Sequence, residues 1–134
     1  YAWPESIWDT LYLLCDLADI QIVLAHAERY PAENIEKLCA EARQYKFAMV
    51  AINPAEVETC VKLLEGSGVR VGAAIGFPLG QNTVECKAFE TRDAITKGAT
   101  EIDTVINVRA LQKGQTEIVK KEILFVNLPA LFVK

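Results

Sequence analysis

Four short, mostly apolar runs alternate with segments of helical spacing along this chain, and that alternation limits the possible folds more than any other feature. The runs are residues 20–25, 47–52, 69–75 and 102–106, rich in Ile, Val and Ala. Nearly continuous apolar runs suit strands covered on both faces rather than strands with one wet side. Between them the apolar residues recur every three or four positions. Ile7, Leu11, Leu14, Cys15 and Ala18 form one such stripe; Ile35, Leu38, Cys39 and Ala42 form a second; Val57, Val61 and Leu64 form a third. Pro31 opens the second helix and Asn53-Pro54 the third, while Gly66-Ser67-Gly68 ends the third. The spacing predicts a fourth helix over 83–97 with Gly98 as its C′ residue, and a shorter one over 116–122. The apolar stretch 123–134, broken by Pro129, reads as a fifth strand followed by a tail, or as strand-turn-strand. Strands and helices in this order imply parallel βαβ units with right-handed crossovers.

At 134 residues the chain is a single domain with no low-complexity linker. Its net charge is −4, with the acids scattered and no basic stripe, which argues against a nucleic-acid or anionic-membrane partner. The apolar stretch 7–20 is interrupted by Asp9, Asp16 and Asp19, so it is neither a signal peptide nor a membrane span. The chain begins at Tyr1 rather than Met, which reads as a trimmed or fused start. Cys15, Cys39, Cys60 and Cys86 lack metal-ligand spacing. Three of them fall in helical patterns among apolar neighbours, as expected of reduced core thiols in a cytoplasmic protein.

Two stretches carry chemistry. Gly76-Phe77-Pro78-Leu79-Gly80 falls where a strand's C-terminal end meets the next helix, the edge where parallel α/β folds bind ligands. Asp103 lies inside an otherwise apolar strand, where a carboxylate is costly unless it is paired or used. The residue alone leaves the structural and functional readings open.

The stretches "ENIEKLCAEARQYKF" and "NPAEVETCVKLLEGSGVRVGAAIGFPLGQNTVECKAFETRDAITKGATEIDTVINVRALQKGQ" together resemble deoxyribose-phosphate aldolase, over about residues 33–123. The resemblance implies a (βα)8 barrel that joins acetaldehyde to glyceraldehyde 3-phosphate through a Schiff-base lysine, with no metal and no cofactor. It implies that Asp103 is the strand-four aspartate that relays protons beside that lysine, and that Asn53 lies at a substrate-facing strand end. The family's two lysines belong to its sixth and seventh strands, which have no counterpart in these 134 residues. Lys113, Lys120 and Lys121 fall on a loop and an exposed helix, without the dry surroundings that depress a lysine's pKa. Where the family has Asp-His-Thr on its first strand, this chain has Ala25-His26-Ala27, and Ala51 stands where a cysteine often precedes the Asn-Pro turn.

The segment "IVLAHAERYP", within residues 20–31, is similar instead to a strand end of polymerase-and-histidinol-phosphatase-type metal phosphatases. There His26 would be a metal ligand with Glu28 at most one more, and it is the chain's single histidine. A working metal site needs several ligands held in geometry, so no metal is expected.

The expected fold is therefore α/β: a partial (half) (βα)8 barrel of four or five parallel strands, or an open flavodoxin-like sheet. Residues 1–31 are read as a non-aldolase segment, 32–123 as aldolase-like βα units and 124–134 as an unassigned tail. The combination reads as a recombined or engineered chain, without catalysis of its own. The alternatives are residual aldolase activity and, more remotely, metal-dependent hydrolysis through His26. A full barrel needs roughly 200 residues or more. Half of one would leave open edges and an apolar inner face, so the expected partner is a second copy of the chain.

Overall fold

The computed structural model describes residues 6, 9–10, 13, 23–25 and 33–132. Four parallel strands are described: β1 (Val23–Ala25), β2 (Met49–Ile52), β3 (Arg70–Ile75) and β4 (Glu101–Thr104). They lie in the sheet in the order in which they occur in the sequence. Helix α1 (Glu33–Gln44) joins β1 to β2. A 3-10 turn (Pro54–Glu56) and helix α2 (Val57–Leu63) join β2 to β3, and α3 (Val84–Thr96) joins β3 to β4. Helices α4 (Val108–Gln112) and α5 (Thr116–Phe132) follow β4. A flavodoxin-like sheet reverses its strand order at a switch point; among the described strands there is no reversal, which is the order of a barrel wall.

The register explains which residues meet. Val50 pairs with Val71 and Ile52 with Ala73, which pairs in turn with Ile102. These residues share one face and pack with Ile75 against Ile35, Leu38, Cys39 and Ala42 of α1, Val57 and Cys60 of α2 and Ala94 of α3. Val50, Ile52 and Ile75 are completely buried, and each such side chain contributes roughly 1.5–3 kcal/mol. The opposite face holds Met49, Ala51, Gly72, Ala74, Glu101 and Asp103 by the alternation of the same register. Its centre is a row of small residues in which Ala51 and Ala74 are already buried. A Cβ on Gly72 would lie 2.6 Å from the Met49 sulfur, so glycine leaves room for that side chain.

Helix ends follow local chemistry. Thr83 caps α3, its hydroxyl accepting from the Cys86 amide at 3.3 Å, and Gly98 follows the C-cap Lys97 at φ +102°, as predicted. Arg43 of α1 donates to the carbonyls of Leu63 and Glu65 at 2.8 and 3.0 Å, closing the C-terminal end of α2 with a charge of the favourable sign.

The structure corrects three expectations. Residues 116–132 form one helix, not a short helix plus a fifth strand. Val119, Glu122 and Val126 are buried at spacings of three and four, the inward stripe of a helix laid on α3. Pro129 lies within this helix rather than ending it. Strand β4 stops at Thr104, two residues early: the Val105 amide still bonds to the Ile75 carbonyl, but the Val105 carbonyl and the Asn107 amide are taken by Lys87 and Glu122. Among the cysteines, Cys39 and Cys60 are buried thiols as expected, whereas Cys86 is exposed. A hydrogen bond from the Cys60 thiol holds Cys39 below the usual thiol range against the opposing effect of burial. Cys15 lies outside the described residues, as does most of the predicted helix over 7–17, although Asp9, Thr10 and Leu13 are helical.

Treating the native chain with a maleimide should therefore label Cys86 rapidly and leave Cys39 and Cys60 unmodified until denaturant is added. Peptide mapping reads this directly. Equal labelling of Cys60 and Cys86 would contradict the described core.

Candidate active site at the strand ends

Because all four strands run parallel, their C-terminal ends open on one edge, and the loops there bring separate segments together. Asn53 follows Ile52, which pairs with Ala73, so Asn53 stands level with Ala74, the register partner of Asp103. Asn53 and Asp103 thus flank Ala74 on one row, separated by two strand spacings, about 10 Å. Both are half-buried. Asn53 begins the 3-10 turn in an extended conformation, and its side chain does not cap that turn, leaving the amide for other use. Three or more candidate metal ligands do not cluster anywhere among the described residues. His26 and Glu28 lie outside the described residues.

The lysines predicted to be exposed are exposed: Lys113, Lys120 and Lys121 all face solvent. Sequence reasoning missed Lys87. It is 0% exposed, the largest fully buried side chain described, and it sits on the inward stripe of α3 with Ala88, Thr91 and Ala94. Its ammonium donates to Glu122 Oε1, to the Gly80 carbonyl and to the Val105 carbonyl, each at 2.8 Å. Glu122 is buried too, and its Oε2 accepts from the Asn107 amide at 2.8 Å. The legible signal was the pairing of two opposite charges on inward slots of neighbouring helices. Each alone looked like an ordinary surface position.

Lys87 is dry, and all three of its ammonium protons are engaged in these hydrogen bonds. It also reaches in from the helix layer, whereas Asp103 is on the face opposite the core-facing Ile102. Among the described residues the Asp103 carboxylate has no hydrogen-bond partner.

No family model matches the chain. Individual relatives do. A deoxyribose-phosphate aldolase of Bacteroides thetaiotaomicron is 97% identical over 92 residues, covering 69% of this chain and 39% of the relative. The chain is homologous to deoxyribose-phosphate aldolases. The enzyme of that name from Clostridium perfringens is 52% identical over 110 residues, 82% of this chain and 48% of its own length. The chain thus spans less than half the length of these curated relatives. Solved structures agree: one described as a deoxyribose-phosphate aldolase from Coccidioides immitis superposes with a TM-score of 0.77 at 28% identity, covering 96% of this chain and 58% of that one. A tetrameric deoxyribose phosphate aldolase from Aeropyrum pernix gives 0.59 at 29% identity, covering 78% and 47%. Together with the sequential parallel sheet, these matches establish the fold as a partial (βα)8 barrel.

Proposed function

We propose that these 134 residues form an aldolase-derived half barrel that retains the proton-relay carboxylate of a Schiff-base site, Asp103, with Asn53 on the substrate side, but does not itself cleave 2-deoxyribose 5-phosphate. The observation that carries this reading is the state of the lysines. Among the described residues Lys87 alone is fully buried, and it is locked to Glu122 on the helix side of the sheet. In a Schiff-base mechanism the relay carboxylate acts on an imine, which forms only where a lysine amine is free to attack the carbonyl. No cofactor enters this chemistry.

The test is reductive trapping. Incubation with acetaldehyde and borohydride, followed by intact-mass and peptide analysis, should give no adduct concentrated at one lysine. A single stoichiometric lysine adduct, suppressed by 2-deoxyribose 5-phosphate, would establish residual aldolase activity instead.

The 97% identity covers 92 residues, 69% of the chain, which leaves room for the reading of a chain joined from two sources, with the segment 20–31 of metal-phosphatase type. Metal analysis of the purified chain tests the hydrolase alternative through His26; bound metal at stoichiometry would favour it.

The proposed partner is a second copy of this chain, not nucleic acid or a membrane. Strands β1 and β4 are the edges of the described sheet, and α4 and α5 expose Val108, Leu111, Ile118, Ile123, Leu124 and Phe125. No helix among the described residues is long and apolar enough to cross a membrane. The reduced thiols suit a cytoplasmic setting. Light scattering on the eluted chain should give a mass that is a multiple of 14.8 kDa. A monomer at micromolar concentration would remove the assembly reading.

A further inference from the structure

The Lys87–Glu122 pair does more than join two helices. Lys87 holds the carbonyl of Gly80, which closes the loop leaving β3, and that of Val105, which lies two residues beyond Asp103. Glu122 holds the amide of Asn107, four residues beyond Asp103, and the Asn107 side chain in turn accepts from the Ala110 amide to start α4. A second carboxylate, Glu90, accepts from the Gly76 amide at 3.0 Å. The glycines of the loop make this possible. A Cβ on Gly76 would stand 2.9 Å from the Lys87 stem, and one on Gly80 would run into the Ile106 carbonyl. The exits of β3 and β4 are thereby tied to one buried charge pair.

A buried pair of this kind is a poor device for stability alone, since well-packed apolar residues of similar volume often serve as well. What apolar residues cannot supply is a set of directed bonds to two carbonyls and an amide at chosen places. We propose that Lys87 and Glu122 are positioning residues that fix the β3 and β4 exits and so set the orientation of the Asp103 carboxylate. This inference rests on the reading of Asp103 as the proton-relay group.

The test compares the 134-residue chain with the double variant Lys87→Met/Glu122→Leu by amide hydrogen exchange and by NMR titration of the Asp103 carboxyl. The expected result has two parts. Exchange at Asn107 accelerates by roughly tenfold or more, as loss of a hydrogen bond to a charged acceptor implies, while the amides of Val50 and Val71 keep their protection. The Asp103 titration midpoint moves away from that of the parent chain. A uniform rise in exchange with an unmoved Asp103 midpoint would show a merely structural pair and overturn the proposal. So would a folded variant with both Asn107 exchange and the Asp103 midpoint unchanged. Should the double variant not fold, Glu122→Gln, which keeps the shape and removes the charge, is read by the same two signals. The two readings fail separately. Trapped imine in the parent chain would sink the scaffold reading and leave positioning standing, whereas unmoved Asp103 and Asn107 signals would do the reverse.

Discussion

Lys87→Met alone is expected to cost about 3–5 kcal/mol of folding stability. Methionine fills the same slot, so little packing is lost. The damage comes from what stays behind: Glu122, 3% exposed, is left buried with no cation beside it, and the carbonyls of Gly80 and Val105 lose their donor. Domains of this size hold only about 5–15 kcal/mol in total, so the loss is a large fraction of the whole. Urea unfolding followed by circular dichroism should show a strongly lowered midpoint, or a chain already partly unfolded in buffer. A variant within about 1 kcal/mol of the parent would mean that Glu122 reaches water, a cost more typical of exposed pairs. The exposed Lys62–Glu58 pair supplies the contrast. Its removal should change the midpoint very little.

Gly80→Ala should be the second most damaging change, and Gly66→Ala is its control. Both glycines have left-handed backbones, at φ +65° and +71°. Any L-residue there incurs about 1–2 kcal/mol. At Gly66 a new Cβ meets nothing within 4 Å, so that is the whole cost. At Gly80 it would collide with the Ile106 carbonyl and come within 2.8 Å of Val105. Overpacking of this kind adds typically about 1–3 kcal/mol. The obstacle is backbone, not the tip of a flexible side chain, so relief requires the β4 exit to shift. Paired denaturation curves under one set of conditions should separate the two variants by that increment. Equal losses would show that the β3 loop does not approach β4 as closely as described.

The elements that a reader can extract from the sequence are those whose pattern is local. Strands β2 and β3 and helices α1 and α3 were legible because apolar runs and three-four stripes are properties of neighbouring residues. The capping Thr83 and the terminal Gly98 were legible for the same reason. Helix α5 was not, because Pro129 reads as a break and the Leu- and Val-rich stretch before it fits strand or helix alike. What decides between them is the packing of Val119 and Val126 on α3, which is a long-range fact. Asp103 drew notice as a carboxylate inside an apolar strand and Asn53 through the family resemblance, but their common row depends on register, which no single strand encodes. Lys87 and Glu122 were hidden most thoroughly. Both are residue types that usually face water, and each makes sense only once the other, 35 positions away, is placed beside it.

The seam between β1 and β2 is made of three residue pairs, Val23 with Met49, Leu24 with Val50 and Ala25 with Ala51. Ladder bonds of that kind join main-chain groups and take no account of side-chain identity. Graft compatibility along such a border is thus a matter of phase and length more than of ancestry. Exchanging the leading strand for one of foreign descent should be tolerated wherever its amides and carbonyls fall into step.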